Sequence, residues 1–448
     1  MGKYFGTDGI RGVANEELDA QLAYQAGFAA ATVLTKAAKH RAKIFIGKDT
    51  RISGDMLEAA LAAGICSAGA DVALLGVIPT PAVAYLTVKH GADAGIVISA
   101  SHNPFEHNGI KIFGANGCKL SDELEAQVEA LIDDPSGEKP ASHENIGKIM
   151  PMAETACEEY ASHIAQAVPS LSGLKVAVDC ANGASSHTAE LIFKKLGVEY
   201  DAIFNRPDGV NINTGCGSTH LDALCKKVSE GKYDLGIAFD GDADRCLLVD
   251  ENGKLIDGDK IMAIVANHLK ENGRLQGGVV VTVMSNLGLH SYLRQHGIPV
   301  KTTKVGDRFV LEEMLRSGWN LGGEQSGHVI LTDHATTGDG ELTAVTFMEL
   351  LKNSGKKASQ LAGEIEHYPQ VMINVPVPNA QKKTVAQLPE VKAVGDEIAE
   401  KFGQDGRILI RPSGTEALVR VMVEGKEEAV VRQMAEKAAA VIQSLYQK

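Results

Sequence analysis

Three carboxylates stand two residues apart in DGDADR (240–245), Asp240, Asp242 and Asp244, with Gly241 and Ala243 between them small enough for the backbone to curl round an ion. Like charges this close repel unless something neutralises them, and hard oxygen donors select Mg²⁺, Ca²⁺ or Mn²⁺. With Glu251 further on, the spacing also fits an EF-hand loop, but Arg245 stands where that loop needs glycine and CLLV (246–249) reads as the next strand. An acidic nucleophile at Asp240, as in an aspartyl phosphatase, is a second chemistry open to this loop.

In ISASHNPFEHNGIK (98–111) a strand runs out into Ser101, His102, Asn103 and Pro104. Pro104 stops the strand and leaves Ser101 at its carboxyl end, the edge where open α/β sheets place their ligands. A Ser-His pair also suits a plain turn or a helix cap, and neighbouring side chains on an extended chain point apart, so adjacency predicts no Ser/His dyad. RPSGTE (411–416), with Arg420 beyond, joins the hydroxyls and close-approaching amides of Ser413, Gly414 and Thr415 to the forked donors of Arg411 and Arg420. That composition suits a phosphate monoester, a tight turn being the alternative. GGEQSGH (322–328) sets Glu324, Ser326 and His328 on a glycine frame: an acceptor, a hydroxyl and an imidazole of the kind sugar hydroxyls demand.

The elements that must hold these loops read as α/β. Short apolar runs such as KIFIG (43–47), DVALLGVI (71–78) and GIVISA (95–100) alternate with helical patterns over 56–68, capped by Ser53 or Asp55, and over 121–132, capped by Ser121. The stretch 133–151, rich in Pro, Gly, Ser and charge, predicts a domain boundary. Strand patterns resume at 174–179 and 233–240, then at 278–284 and 299–306 with a helix over 287–296 between them. After 368–369 the strands VMINVPV, RILIRPSG and LVRVMVEG and a helix over 427–446 predict a smaller α+β domain. The expected boundaries are 1–150 with the serine loop, 151–253 with the acidic loop, 254–368 with the sugar loop and 369–448 with the phosphate loop.

Composition excludes several classes. The net charge of −13 argues against nucleic acid held on a basic face, and no apolar run is long enough for a membrane span. The first residues lack the apolar core of a signal peptide, so the expected address is cytoplasmic. Seven cysteines without a C-x-x-C pair predict neither a disulfide framework nor a zinc site. P-loop, dinucleotide-binding and HExxH motifs are absent from the chain.

In this order, GTDGIRG (6–12), SASHNP (99–104), NGIK (108–111), CGSTH (216–220), DGDADR, VGDRFV (305–310), GGEQSGH and RPSGTE resemble the α-D-phosphohexomutase superfamily, in the wording of its branch acting on glucosamine phosphates. The resemblance implies three similar α/β domains and a smaller fourth domain round a central cleft, with a hinge for the fourth near 368–371. It implies that Ser101 is a phosphoserine in the active enzyme and, with Asp240, Asp242 and Asp244, holds one Mg²⁺. Glu324 and Ser326 then grip sugar hydroxyls, and Arg411, Ser413, Gly414, Thr415 and Arg420 the phosphate that is not reacting. Lys111, His328 and Arg11 are the candidates for proton transfer, and His102 orients the serine loop.

The implied reaction interconverts glucosamine 6-phosphate and glucosamine 1-phosphate through a bound 1,6-bisphosphate; glucose or mannose phosphates are the alternative substrates. Glucosamine or glucose 1,6-bisphosphate, or a kinase, would first phosphorylate Ser101, and the chain would act as a monomer or homodimer. Three aspartates, a phosphoserine near −2 and one Mg²⁺ sum to about −3, so the site needs nearby cations, for which Arg245, Lys111 and Arg11 are placed. A phosphosugar sensor without catalysis would need neither Ser101 nor the acidic loop.

Overall fold

The computed structural model describes every residue except Met1, Thr7, Ala37, Gln404, Gly414, Thr415, Gln447 and Lys448. By its internal contacts the chain forms two compact units, Met1–Met284 with Gly297–Gly363, and Ser285–His296 with Glu364–Lys448.

The first unit carries three sheets. In the first, Lys43–Lys48 lies between Asp71–Val77 and Ala94–Ile98, all parallel, and the sheet continues antiparallel through His107–Gly114 and Gly9–Val13. Strands covered on both faces read as unbroken apolar runs, and Ile44, Phe45, Ile46 and Ile96 to Ile98 are fully buried. Gly54–Ser67 and Asp122–Asp133 are helical as expected, and the Ser121 hydroxyl caps the second by accepting from the Leu124 amide at 3.4 Å.

The second sheet pairs Lys175–Asp179 in parallel with Leu235–Phe239 and Glu199–Ile203, and adds Cys246–Val249 antiparallel. The third pairs Val279–Thr282 in parallel with Val300–Thr303 and Leu321–Gly323, and turns back antiparallel into Val329–Leu331.

The polar stretch expected to separate domains is not bare linker. Ile149–Pro151 adds a parallel edge strand beside Asp71–Val77, and the Ala141 and Gly147 amides donate to Ser67 O and Cys66 O. All three strand residues are exposed, so no apolar alternation marks them.

In the second unit Leu418–Gly425 is the middle of a three-stranded antiparallel sheet between Gln370–Pro376 and Gly406–Pro412. Val421, Val423, Ile398 and Ile442 centre its own core. Glu428–Tyr446 is the expected last helix, and Pro389–Phe402 is a further one. Helix Leu287–Gln295 joins this unit, where the Asn286 amide group bonds Tyr368 O at 2.9 Å and accepts from its N–H at 3.1 Å.

Among the described residues no helix is long and apolar enough to cross a membrane, and the seven cysteines are unpaired.

Candidate active site

Strand Ala94–Ile98 delivers Ser101 to its carboxyl end, as expected. Ser101 is 1% exposed and takes a left-handed φ of 53°, which turns its side chain back toward His102: Ser101 Oγ lies 3.3 Å from His102 Nδ1. The expectation that adjacent side chains point apart assumed an extended backbone, and the positive φ removes it. The Ser101 hydroxyl donates to Asp240 Oδ2 at 2.6 Å, across 139 residues of sequence.

The acidic loop follows the fully buried strand Leu235–Phe239 and leads back into Cys246–Val249. Asp240, Asp242 and Asp244 are buried, with one carboxylate oxygen from each lying within 4.8 Å of the others. Burial, then the charges of Asp244 and Asp242, push the Asp240 carboxyl well above its ordinary range. Burial acts in the same sense on Asp244, but Lys111, His328 and Arg245 outweigh it and hold that carboxyl far below its usual range.

One oxygen of Asp242 is taken by Thr80 Oγ1 at 2.6 Å and Lys111 Nζ at 2.7 Å. The other, and Oδ1 of Asp244, are buried without a hydrogen-bond partner among the described residues. Two orphaned carboxylate oxygens beside a third carboxylate fit a hard divalent cation. Glu251 serves no EF-hand, because its carboxylate accepts from the amide and hydroxyl of Ser359.

Cations surround this cluster where charge balance demanded them. Lys111, 1% exposed, also lies 3.5 Å from Asp244 and 3.3 Å from Asp8, and against the pull of burial these carboxylates keep its ammonium charged. Arg11 donates to the Asp8 carboxylate and, at 3.5 Å, to Ala100 O. Lys119 contacts Asp8 and Asp307 at 2.5 Å each, and Asp307 and Asp244 flank His328 at 3.6 Å on its two nitrogens. Lys111, Asp8, Lys119, Asp307, His328 and Asp244 thus close into one ring.

Burial opposes charge on His328 while Asp244 and Asp307 draw its pKa above the ordinary value. The Gly338 amide, however, donates to Nε2 at 3.1 Å, shorter than either carboxylate contact, and so sets a neutral resting tautomer with Nδ1–H toward Asp244. His102 is pushed down to about 4 by burial, then by Arg245 and Arg11, and its neutral Nδ1 accepts from Arg245 Nη1 at 3.1 Å.

Two glycines bring these loops into backbone contact. A Cβ on Gly241 would lie 2.5 Å from Ser101 O, and one on Gly340 would lie 2.5 Å from Arg245 O. The Gly340 amide also donates to Ala243 O at 3.0 Å, at the start of helix Gly340–Ser354, whose N-cap Asp339 accepts from the Leu342 amide and the Tyr160 hydroxyl at 2.9 Å each.

Burial raises Asp339 to about 6. A raised carboxyl stabilises the fold fully below its unfolded pKa, and that contribution is lost as pH rises through the folded value. Asp339→Asn is therefore expected to change Tm little at pH 4 and to gain on wild type as pH rises through about 6. Parallel melting curves of the two proteins from pH 4 to 7.5 would show no such divergence if Asp339 titrated normally.

Glu324 is half-buried and accepts from the Gly306 amide at 3.1 Å, whereas Ser326 is exposed. In the second unit Arg411 and Arg420 stand opposite each other on paired strands, and burial and the Arg420 charge lower the Arg411 pKa. Two cations on directly paired residues repel, a cost that an anion between them would relieve. Arg420 Nη2 donates to Glu416 at 3.2 Å, and buried Ser413 accepts from the Glu416 amide at 3.2 Å. Gly414 and Thr415, assigned to the same phosphate, lie outside the described residues.

Nothing in the sequence pattern marks Asp49, Arg51, Thr80, Lys119 or Asn213 for the site, whereas Asp8 and Asp307 are acidic residues inside the glycine-marked GTDGIRG and VGDRFV and could have been assigned.

The comparisons agree along the whole chain. It matches the phosphoglucomutase/phosphomannomutase α/β/α domain I over 2–138, domain II over 158–253, domain III over 257–368 and the C-terminal domain over 372–441. It is 54% identical over 446 residues to a phosphoglucosamine mutase of Ruminiclostridium cellulolyticum and 52% identical over 452 residues to one of Acetivibrio thermocellus, covering 99% of each chain. In fold it resembles a phosphoglucomutase/phosphomannomutase family protein of Burkholderia thailandensis, with a TM-score of 0.83 at 24% identity over 98% of this chain and 97% of that one. It also resembles the N-acetylphosphoglucosamine mutase of Aspergillus fumigatus solved with GlcNAc-6P and magnesium, with a TM-score of 0.70 at 17% identity over 98% and 95%. Motifs, sheets and relatives converge: the chain belongs to the phosphoglucomutase/phosphomannomutase family, in its phosphoglucosamine mutase branch.

Proposed function

We propose that this enzyme interconverts glucosamine 6-phosphate and glucosamine 1-phosphate, with Ser101 as the phosphoryl carrier and glucosamine 1,6-bisphosphate held between the two half-reactions. The observation that carries the mechanism is the 2.6 Å bond from Ser101 Oγ to Asp240, at the rim of a buried carboxylate triad with two orphaned oxygens. Asp240 is engaged on both oxygens, by Ser101 and by the Arg245 amide at 3.2 Å, which favours the serine over the aspartate as nucleophile.

Asp240, Asp242 and Asp244, with the Ser101 phosphate, are the ligands this reading gives to one Mg²⁺. Bound there, the cation draws charge from the phosphoryl oxygens and makes the phosphoserine a better donor. In the first half-reaction the bond from phosphorus to Ser101 Oγ breaks as one to the free sugar hydroxyl forms. Arg11, Arg245 and the charged Lys111 stand beside the triad and the serine loop, and they offset the charge of an anionic phosphosugar.

Lys111 is held protonated and can give its proton to Ser101 Oγ as that oxygen leaves, the proton of the sugar hydroxyl then restoring the ammonium, whereas His328, its Nε2 taken by the Gly338 amide, orients Asp244. Glu324 and Ser326 then hold sugar hydroxyls, and Arg411, Ser413, Gly414, Thr415 and Arg420 the idle phosphate. The four units of the reading are 1–150, 151–253, 254–368 and 369–448. A bisphosphate sugar or a kinase supplies the first phosphate on Ser101, and the expected compartment is the cytoplasm.

With the phosphorylated enzyme and Mg²⁺, glucosamine 6-phosphate is expected to exceed glucose 6-phosphate and mannose 6-phosphate by at least about tenfold in kcat/KM, roughly 1.4 kcal/mol of transition-state preference. A higher value for either neutral sugar would assign the chain another substrate while keeping its chemistry.

A further inference from the structure

Arg51 and Asp49 form an ion pair in which both side chains are wholly inaccessible, with Arg51 Nε 2.9 Å from Asp49 Oδ2. They follow the carboxyl end of strand Lys43–Lys48, next to the strand that carries Ser101. The remaining guanidinium donors all go to carbonyls of the serine loop. Nη2 donates to Ser101 O and Asn103 O at 2.9 Å each, and Nη1 donates to Pro104 O and, at 3.0 Å, to His107 O. From the second α/β segment Asn213 Nδ2 reaches the same first two carbonyls, at 2.8 and 3.0 Å. Asp49 meanwhile accepts from Ser99 Oγ at 2.6 Å, and Ser99 Oγ accepts from the Ser101 amide at 2.9 Å. Both backbone groups of Ser101 are therefore fixed by one buried ion pair.

A left-handed backbone at a non-glycine residue is strained and persists only where the surroundings over-determine it. Charge-assisted hydrogen bonds to a planar, fixed fork provide that constraint. The Ser101 carbonyl is also the group against which Gly241 of the acidic loop packs, so the node that sets the serine backbone sets its distance from Asp240. We propose that Arg51, oriented by Asp49 and doubled by Asn213, is a positioning residue for phosphoryl transfer: it locks the left-handed Ser101 and so aims Oγ at the carboxylate triad. The proposal rests on the reading of Ser101 as phosphoryl carrier.

The test is single-turnover phosphorylation of the dephosphorylated full chain by glucose 1,6-bisphosphate with Mg²⁺, followed by intact mass and phosphopeptide analysis. Mn²⁺ affinity by electron paramagnetic resonance and steady-state kinetics accompany it. Asn213→Gly removes a donor while keeping positive φ accessible, and is expected to slow Ser101 phosphorylation about tenfold; Arg51→Met is expected to slow it at least about a hundredfold. Arg51→Lys recovers only part of the loss, because one ammonium cannot span four carbonyls. Loss falls on kcat, with KM and Mn²⁺ affinity within about threefold of wild type, since no contact of Asp240, Asp242, Asp244 or the sugar is removed.

Phosphorylation of Asn213→Gly and Arg51→Lys within twofold of wild type overturns the proposal. So does a loss of Mn²⁺ affinity in step with the rate, which would mark general collapse of the site. If Arg51→Met does not fold, the other two variants decide. A wild type that takes no phosphate on Ser101 overturns the carrier reading itself, a result distinct from phosphorylated variants that match a phosphorylated wild type.

Discussion

Ser101→Ala lowers kcat by at least about 10⁴-fold, a loss of more than ~5 kcal/mol of transition-state stabilisation, while leaving the melting temperature and divalent-ion affinity near those of wild type. The size follows from the role. A carrier cannot be bypassed by improved positioning, because the phosphate that leaves the sugar and the one that enters it both pass through the same oxygen. The small cost to the fold follows from the contacts: the side chain donates one hydrogen bond to Asp240 and lies 3.3 Å from His102, while its backbone groups, which Arg51, Asn213 and Ser99 engage, are unchanged. A stopped assay with glucosamine 6-phosphate and added bisphosphate measures the loss. Activity within tenfold of wild type would require phosphate to travel by another route and would end the phosphoserine mechanism.

The second large effect has opposite signs in stability and activity. Asp240→Asn abolishes the divalent-dependent rise in Tm and lowers turnover about 10³-fold, yet raises the Tm of the cation-free protein by a few degrees. In that form Asp240 is fully buried among like charges, and burial, then Asp244 and Asp242, work against its ionised state. An amide of the same shape keeps one oxygen for the Arg245 N–H and turns its NH₂ to Ser101 Oγ, so the repulsion goes while the hydrogen bonds remain. Because the folded carboxyl has a raised pKa, wild type loses stability as pH climbs above the ordinary carboxylate range, and the advantage of the variant grows in that direction. Calorimetry in chelator and in Mg²⁺ separates the two halves. A variant less stable than wild type in chelator would mean that the hydrogen bonds to the carboxylate outweigh its repulsion.

Much of this was legible in the chain. Runs such as KIFIG and GIVIS are strands because a sheet covered on both faces needs unbroken apolar stretches, and glycine-marked polar loops after such strands carry the chemistry. The triad was readable from its spacing alone, since carboxylates at alternate residues of a tight turn must meet. Helix Pro389–Phe402 carried its own signal in the spacing of Val391, Val394 and Ile398, and Pro389 at its start fits a first-turn position.

Other features left no such trace. Ile149–Pro151 is an exposed edge strand of three residues, held by main-chain bonds that no side-chain pattern reports. Arg51 binds carbonyls, which every residue has, so nothing in the residues it serves announces it. The left-handed Ser101 is likewise set by distant donors rather than by its own type, and it is what brings His102 to its side.

The contacts of Gly241 and Gly340 bear on how such a site can change. Where loops meet main chain to main chain, no side chain stands between them to be trimmed or enlarged, and a single added methyl must push one peptide off another. The Ser101 loop, the acidic loop and the start of helix Gly340–Ser354 therefore constitute a fixed stack that drift cannot retune residue by residue. Under the roles proposed for half-buried Glu324 and exposed Ser326, new sugar preferences would enter there rather than in the stack. A lineage of such enzymes would hold its phosphoryl chemistry constant while its choice of sugar wanders.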